Sequence, residues 1–160
     1  MKELILLRHA KSSWEYDVED RNRPLSQKGI DRIMKTSKKC KNIFNDADHI
    51  FSSPANRAFH TAAIMIHECG LDFNRFSIDK NLYTFNFEEI INYVYQLDDV
   101  FSKVILVGHN PAFTFAANSL GKISLNNIPT ACWVRISFFE SSWTEINKVK
   151  SVDKSERIKQ

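Results

Sequence analysis

The sequence predicts an α/β fold, a three-layer α/β/α sandwich around a mixed, mostly parallel sheet. Two short apolar runs of branched residues, Leu4–Leu7 and Val104–Val107, are typical of buried parallel strands. Helical and strand-like patterns alternate along the chain, which favours the crossover connections that parallel strands need. Two strand-like runs near the end indicate an antiparallel edge. No linker or repeat divides the chain, so we expect residues 1–160 to form a single domain.

The first half of the chain predicts a loop, a helix and a strand after the first apolar run. Residues 11–23 are polar and lack a period, which indicates a loop. From Pro24 to about Phe44, the apolar residues fall roughly on one helical face. Residues 48–51 follow as a short strand.

The Ser-Ser-Pro sequence at residues 52–54 predicts the start of a second helix. Ser53 is the predicted N-cap and Pro54 the first helical residue. Gly70 then ends the helix after Cys69. The remaining predicted elements are a weak strand at 76–78, a helix from a capping box at Asn86 to about Leu97, the strand at Val104–Val107, a helix from Asn110-Pro111 to about Gly121, and two antiparallel strands at 132–139 and 143–149.

Composition excludes several classes of protein. The net charge of +3, from 22 basic and 19 acidic residues, is too mild to predict nucleic-acid binding. No apolar run is long enough to span a bilayer, and the N-terminus lacks the apolar segment of a signal peptide. The three cysteines are widely spaced and show no zinc pattern, which favours free thiols in a reducing compartment. We therefore expect a cytoplasmic protein with no membrane or nucleic-acid partner.

Each of the two strongest predicted strands ends in a histidine. The first continues into Arg8-His9, and the second into Gly108-His109-Asn110-Pro111. Open α/β sheets build their sites at the carboxyl ends of strands, so these residues should meet at one edge. Arg57 falls in the first turn of the helix predicted to begin at Pro54. Arginine forks and helix N-termini both bind phosphate, so the edge predicts a phosphate site.

Histidine at such a site can act as a nucleophile. A neutral His9 nitrogen can attack phosphorus, and the resulting phosphoimidazole is labile enough to pass the phosphoryl group to water. Arg8, Arg57 and His109 would stabilise the phosphoryl oxygens, with Asn110 as a further phosphate-binding residue, and no metal or other cofactor is needed. Each residue alone has a plainer interpretation as a packing, capping or surface residue. Their conjunction at strand ends is what favours catalysis.

The chain resembles the histidine phosphatase superfamily, whose fold is called phosphoglycerate mutase-like. Its closest resemblance is to the small SixA-like phosphohistidine phosphatases. This implies that His9 is phosphorylated and that Arg8, Arg57 and His109 form the phosphate pocket. The matching pieces are Leu7-Arg8-His9-Ala10 with its continuation to Trp14, Arg23-Pro24-Leu25-Ser26-Gln27-Lys28-Gly29, Ser52-Ser53-Pro54-Ala55-Asn56-Arg57-Ala58 with Thr61, and Val107-Gly108-His109-Asn110-Pro111.

Two departures from the family pattern bear on chemistry. Ala10 stands where most members have glycine, but alanine is still small. The family's proton donor is a carboxylic acid after the third strand, where this chain has Glu88 and Glu89, but a helix cap formed with Asn86 is the favoured explanation of Glu89. Other acids lie in the first loop and are equally explained as solvated charges: Glu15, Asp17, Glu19 and Asp20.

A weak acid position favours a substrate with a phosphorus–nitrogen bond. An alkoxide needs a proton to leave, whereas an imidazole whose other nitrogen is protonated leaves as a neutral group. The short chain leaves little for a lid, so the pocket should admit a phosphohistidine carried by a protein. The alternatives are a small-molecule phosphomonoesterase and a catalytically silent phosphate-binding module. Lys11, Arg21 and Arg23 would either recruit acidic partners or pair with the acids of the loop.

Overall fold

The computed structural model describes residues 1–159 and contains one six-stranded sheet. The sheet order is β3-β2-β4-β1-β5-β6. Strands β1 to β4 pair in parallel, β5 runs antiparallel to β1, and β6 runs antiparallel to β5. This confirms the mixed, mostly parallel sheet. The strands are β1 Lys2–Arg8, β2 His49–Ser52, β3 Phe76–Ile78, β4 Lys103–Gly108, β5 Trp133–Phe138 and β6 Val149–Lys154.

Helices cover both faces of the sheet, as predicted for a three-layer sandwich. Successive side chains of a strand point to opposite faces, so Leu4 and Leu6 face one core while Ile5 and Leu7 face the other. The first core is shared with α4 and α5, and the second with α1, α2 and α3. No helix within residues 1–159 is long and apolar enough to cross a membrane. The helices are α1 Gln27–Lys39, α2 Lys41–Phe44, α3 Asn56–Cys69, α4 Phe87–Tyr95 and α5 Ala112–Gly121.

Helix α1 begins at Gln27 rather than at Pro24, and a break at residue 40 separates it from α2. The later start has a local cause. Leu25 forms an antiparallel bridge with Ser12, which holds the chain extended just before the helix. Ser26 then caps α1 by accepting a hydrogen bond from the N–H of residue 29, at 3.0 Å. The predicted loop 11–23 is thereby fastened to the start of α1.

Gly29 permits this close approach. A Cβ atom at this position would lie 2.1 Å from the backbone oxygen of Lys11, a distance that no side chain can occupy. The same Lys11 oxygen accepts hydrogen bonds from the N–H and the hydroxyl of Ser26, at 2.9 and 3.1 Å. The Arg-Pro-Leu-Ser segment and its glycine therefore position the chain that follows β1.

The prediction of Ser53 as N-cap and Pro54 as the first helical residue is wrong, because α3 begins at Asn56. The N–H of Ser53 donates to the carbonyl of Val107 at 3.0 Å and so continues the pairing of β2 with β4. That bond keeps the backbone extended, and the chain turns only afterwards. The Ser53 hydroxyl accepts a weaker bond from the N–H of Ala55, at 3.3 Å. The end of α3 is as predicted, with residue 70 in the left-handed region at φ 68°.

The last predicted strand, 143–149, is also wrong, since β6 occupies Val149–Lys154. Trp143 lies instead in a short 3-10 turn and is buried. Its N–H donates to the carboxylate of Asp99 at 2.7 Å, and its indole N–H donates to the carbonyl of Phe101 at 2.8 Å. These bonds tie Trp143 to the segment before β4 and exclude it from a strand pair.

Candidate active site

The two histidines meet at the carboxyl edge of the sheet. Arg8 pairs in register with Gly108, and the N–H of His9 donates to the Gly108 carbonyl at 3.0 Å. The rings of His9 and His109 therefore come within 5.3 Å of each other, centroid to centroid. Ser53 follows the neighbouring strand β2, and its hydroxyl lies 2.7 Å from Nε2 of His109. The strand register thus brings both predicted histidines together.

The His9 ring is oriented by its own loop. Nδ1 lies 2.7 Å from the carbonyl oxygen of Ala10. A carbonyl only accepts, so Nδ1 carries the proton and Nε2 of the neutral ring carries the lone pair. The N–H of Ala10 donates to the Thr61 hydroxyl at 2.9 Å, and that hydroxyl donates to the carbonyl of Arg57 at 2.6 Å. Helix α3 therefore holds the loop that orients the His9 ring.

Both histidines are neutral at neutral pH. Burial lowers the pKa of His9 to about 4, opposed by the Ala10 carbonyl and reinforced by the positive charges of Arg57 and Arg8. Burial also lowers the pKa of His109 to about 3, together with the neighbouring His9. Only 8% of His9 is exposed. A neutral imidazole is what nucleophilic attack requires, and a neutral His109 still offers one N–H to an anion.

Arg57 lies in the first turn of α3, as predicted, and only 3% of the residue is exposed. Its two terminal nitrogens donate to Asp20, to the backbone oxygen at 2.7 Å and to the carboxylate at 2.9 Å. Arg8 donates through Nη1 to the carbonyl of Ile128 at 2.8 Å. Arg57 is therefore held through both terminal nitrogens and Arg8 through Nη1, and Nε of both is buried without a hydrogen-bond partner.

Arg23 belongs to the same cluster, although the sequence predicted for it only the recruitment of acidic partners or pairing with the acids of the loop. Its guanidinium donates to the Ser12 hydroxyl and lies 3.6 Å from the carboxylate of Asp20. Asp20 also accepts a hydrogen bond from the Tyr83 hydroxyl at 2.6 Å and pairs with Arg57. The signal that could have identified Arg23 is its place at the head of the Arg-Pro-Leu-Ser segment that follows the loop.

Asp20 is an ionised carboxylate in this cluster. Burial alone would raise its pKa, but hydrogen bonds from Tyr83 and Arg57 and the charges of Arg57 and Arg23 lower it overall. Within residues 1–159, Asp20 is the only one of the proposed acids that pairs with a site arginine. Glu89 instead accepts from the Thr84 hydroxyl, next to the Asn86 cap of α4. A protonated carboxyl is therefore not part of the described arginine cluster.

Asn110, the fourth predicted phosphate-binding residue, sits at the same edge, but its amide N–H groups are already bonded. They donate to Asn127 at 2.9 Å and to the carbonyl of Ile128 at 3.0 Å. Its side-chain oxygen accepts from the N–H and hydroxyl of Thr114. The carbonyl of Ile128 also accepts from Arg8. Asn110 thus joins the start of α5 to the loop that holds Arg8, and its contact with phosphate stays a prediction.

The cluster contains buried side-chain nitrogens that no acceptor of the protein binds. In the described part of the chain, the buried side-chain nitrogens without a partner include Nε of all three arginines, Nη1 of Arg23 and Nδ1 of His109. Buried donors normally find an acceptor, so such a group is suited to a ligand with several oxygens. No three His, Cys, Asp or Glu side chains within residues 1–159 are grouped as a metal site would need. The arrangement can bind a phosphoryl group beside a neutral histidine.

Solved structures of similar fold include several phosphatases. A protein of Agrobacterium tumefaciens provisionally assigned as the phosphohistidine phosphatase SixA is 22% identical, with a TM-score of 0.76 over 86% of this chain and 92% of its own. A protein histidine phosphatase SixA in complex with tungstate is 15% identical, with a TM-score of 0.78 over 94% and 95%. A mycobacterial glucosyl-3-phosphoglycerate phosphatase is 16% identical, with a TM-score of 0.69 over 96% and 97%.

These likenesses, all under 25% identical, show the fold. No curated protein matches the chain significantly in sequence. The family model of the histidine phosphatase superfamily (branch 1) matches residues 4–92, more than half of the chain and the part that carries His9, Arg23 and Arg57. The chain therefore belongs to the histidine phosphatase superfamily.

Proposed function

We propose that this protein is a metal-independent phosphohistidine phosphatase that works through a phosphoryl group carried on His9. The observation that carries the proposal is the buried, neutral His9, whose Nε2 is free, beside three guanidinium groups with unused N–H donors. A binding module would need the donors but not the oriented nucleophile. The cytoplasmic location and the protein nature of the substrate are part of this proposal.

The first step transfers the phosphoryl group to the enzyme. The N–H groups of Arg8, Arg23, Arg57 and His109 bind the phosphoryl oxygens while Nε2 of His9 attacks phosphorus in line with the leaving group. A bond forms between Nε2 and phosphorus as the bond to the substrate nitrogen breaks. The leaving imidazole takes that electron pair and departs neutral, since its other nitrogen is protonated.

The second step returns the enzyme to its starting state. Water attacks phosphorus, the bond to Nε2 of His9 breaks, and the water proton goes to the product phosphate or to solvent. The Ala10 carbonyl matters here as well, because it keeps the proton on Nδ1. With that proton in place, His9 leaves as a neutral imidazole and needs no acid.

The carboxylate chemistry favours a phosphorus–nitrogen substrate over an alkyl ester. Asp20 has a lowered pKa and is already bonded to Arg57 and Tyr83, so it is a poor proton donor. Glu88 and Glu89 lie at the start of α4 and are exposed, and either could serve an ester substrate only from there. A small-molecule phosphomonoesterase is therefore the second candidate, with the likeness to a glucosyl-3-phosphoglycerate phosphatase as its support.

A substrate series with a single-turnover trap tests the proposal. We expect kcat/KM for a phosphohistidine protein and an aryl phosphate to exceed that for an alkyl phosphate by about 10²–10⁴-fold, the usual effect of general-acid catalysis. The quenched enzyme should carry an acid-labile, base-stable phosphate. Comparable values for the alkyl ester would favour the phosphomonoesterase, and an inactive protein that only binds phosphate would favour the silent module.

A further inference from the structure

Three aromatic rings lie beside the side chains of the site, and the mechanism above gives their ring faces no part. The Trp14 ring lies over the guanidinium of Arg23, with Cζ 3.4 Å from the ring centroid. The ring centroids of Tyr83 and Phe85 lie 5.4 and 5.6 Å from that of His109. We call Trp14, Tyr83 and Phe85 the aromatic rim.

The rim contributes apolar surface to the mouth of the pocket rather than to a core. Trp14 is 79% exposed and Phe85 is 51% exposed. The orientation of Arg23 is already held by Ser12 and Asp20, so Trp14 is not needed for that purpose. Exposed aromatic rings beside a polar pocket are typical of a surface that contacts a ligand.

The direction of the reaction places the leaving group on the rim side. The leaving group in an in-line displacement lies opposite the nucleophile. His9 is buried at the strand edge, whereas Phe85 extends from His109 to solvent. The part of the substrate that carries the phosphoryl group must therefore lie toward the exposed rings.

We propose that the aromatic rim is a subsite for the leaving group and that it selects a flat aromatic ring, such as the imidazole of phosphohistidine, over a group without a ring. Rings favour offset or edge contacts with other rings, which Tyr83 and Phe85 already make with each other at 5.9 Å between centroids. This inference rests on the proposed function and adds to it the residues that recognise the leaving group.

A pair of substrates separates ring recognition from leaving-group chemistry. Free phosphohistidine and phosphoramidate both break a phosphorus–nitrogen bond and release a neutral nitrogen group, but only the first has a ring. For Phe85→Ala we expect KM for phosphohistidine to rise roughly three- to tenfold, while kcat/KM for phosphoramidate changes less than about twofold. The KM of Phe85→Leu for phosphohistidine should lie between those of the wild-type protein and Phe85→Ala. Trp14→Ala should likewise lower the preference for phosphohistidine over phosphoramidate.

The matched control is Phe139→Ala. Phe139 is 62% exposed, but it follows Phe138, which pairs with Lys2 at the opposite edge of the sheet. This variant should leave both substrates unchanged. Equal losses for both substrates in Phe85→Ala, or no loss for either, would overturn the subsite. A wild-type protein inactive toward both substrates and toward a phosphohistidine protein would instead refute the proposed function on which the subsite rests.

Discussion

Strand β1 carries a basic side chain at each end, and the two ends differ in how their positive charges are satisfied. The ammonium of Lys2 is buried and donates to the carbonyl oxygens of Asp99 and Phe101, both at 2.8 Å. It also lies 3.5 Å from the Asp99 carboxylate and over the Trp143 ring. Arg8 at the other end donates to the carbonyl of residue 128, while its Nε is buried without a partner.

The two ends differ in whether the protein itself satisfies the buried positive charge. At the amino edge, the protein supplies the acceptors for its own charge. At the carboxyl edge, Arg23 and Arg57 share the carboxylate of Asp20, the one acid that pairs with a site arginine within residues 1–159, and these two arginines and Arg8 keep spare donors. Buried donors without acceptors cost stability, and a bound anion would supply the acceptors that these donors lack.

Substitution of the proposed nucleophile at the carboxyl edge should have the largest effect on activity. His9→Ala removes the only group proposed to form the covalent bond, so we expect turnover to fall by about 10⁴-fold or more and the trapped phosphate to disappear. Circular dichroism should show an unchanged fold. The matched control is His60→Ala, which removes an exposed histidine of α3 and should keep full activity. A labile phosphoenzyme formed by the His9→Ala protein would assign the nucleophile elsewhere.

Substitutions at the two edges of the sheet should have opposite effects: one should lower activity more than stability, and the other should lower stability more than activity. Arg57→Lys removes the fork that holds Asp20 and the spare Nε, so kcat/KM should fall by about 10²–10³-fold with a smaller effect on unfolding. Lys2→Met removes the donor of the Asp99 carbonyl and one of the two donors of the Phe101 carbonyl, which keeps its bond from Trp143, and should lower the free energy of unfolding by about 2 kcal/mol, with activity kept. Urea titrations and kinetics on both variants measure the contrast. A stability loss larger in Arg57→Lys than in Lys2→Met would contradict it.

Oxyanion binding should stabilise the carboxyl edge specifically. An oxyanion such as tungstate at about 100 times its Kd should add about 2.7 kcal/mol to the free energy of unfolding. For a chain of this size that corresponds to a rise in Tm of roughly 5–10 °C. Arg57→Lys should lose most of the shift, and Lys2→Met should keep it. Equal shifts in the two variants would place the anion away from the arginine cluster.

Acid should destabilise the protein through the buried histidines. The pKa of His9 is about 4 when folded and ordinary when unfolded, so between pH 7 and pH 5 the unfolded chain binds a proton that the native protein does not. The free energy of unfolding should therefore fall by about 2 kcal/mol over this interval for this one group. His109 acts in the same direction. Urea unfolding at both pH values should show a weaker dependence on pH for His9→Ala than for the wild-type protein, and an equal dependence would contradict the prediction.

Chelators should have the smallest effect. Because the proposed clamp is made of Arg8, Arg23, Arg57 and the neutral His109, side chains supply both the positive charge and the hydrogen-bond donors for the phosphoryl oxygens. We expect EDTA to leave kcat/KM unchanged within error. Activity that is lost in EDTA and returns with a divalent ion would contradict a clamp made of side chains alone.

Local patterns in the sequence were sufficient to predict the carboxyl edge of the sheet and the two histidines that lie there. Branched apolar runs define β1 and β4, and the turn residues after them place His9 and His109 at neighbouring strand ends. The glycine after α3 and the Asn86 cap of α4 are likewise local, since each satisfies backbone groups within one turn. Such features depend on a few adjacent residues, and sequence periodicity reports them directly.

Long-range contacts decided the rest. Ser53 is an N-cap by pattern, but its N–H belongs to the strand pairing with Val107, and its hydroxyl contacts His109. The pattern from Trp143 onward predicts a strand, but the hydrogen bonds of Trp143 to Asp99 and residue 101 hold it in the core. Arg23 joins the site because Asp20 reaches both it and the start of α3. The sequence by itself determined which segments end in reactive side chains. Only the tertiary structure decided which of their hydrogen-bonding groups are occupied and which stay free for a ligand, because those partners come from distant parts of the chain.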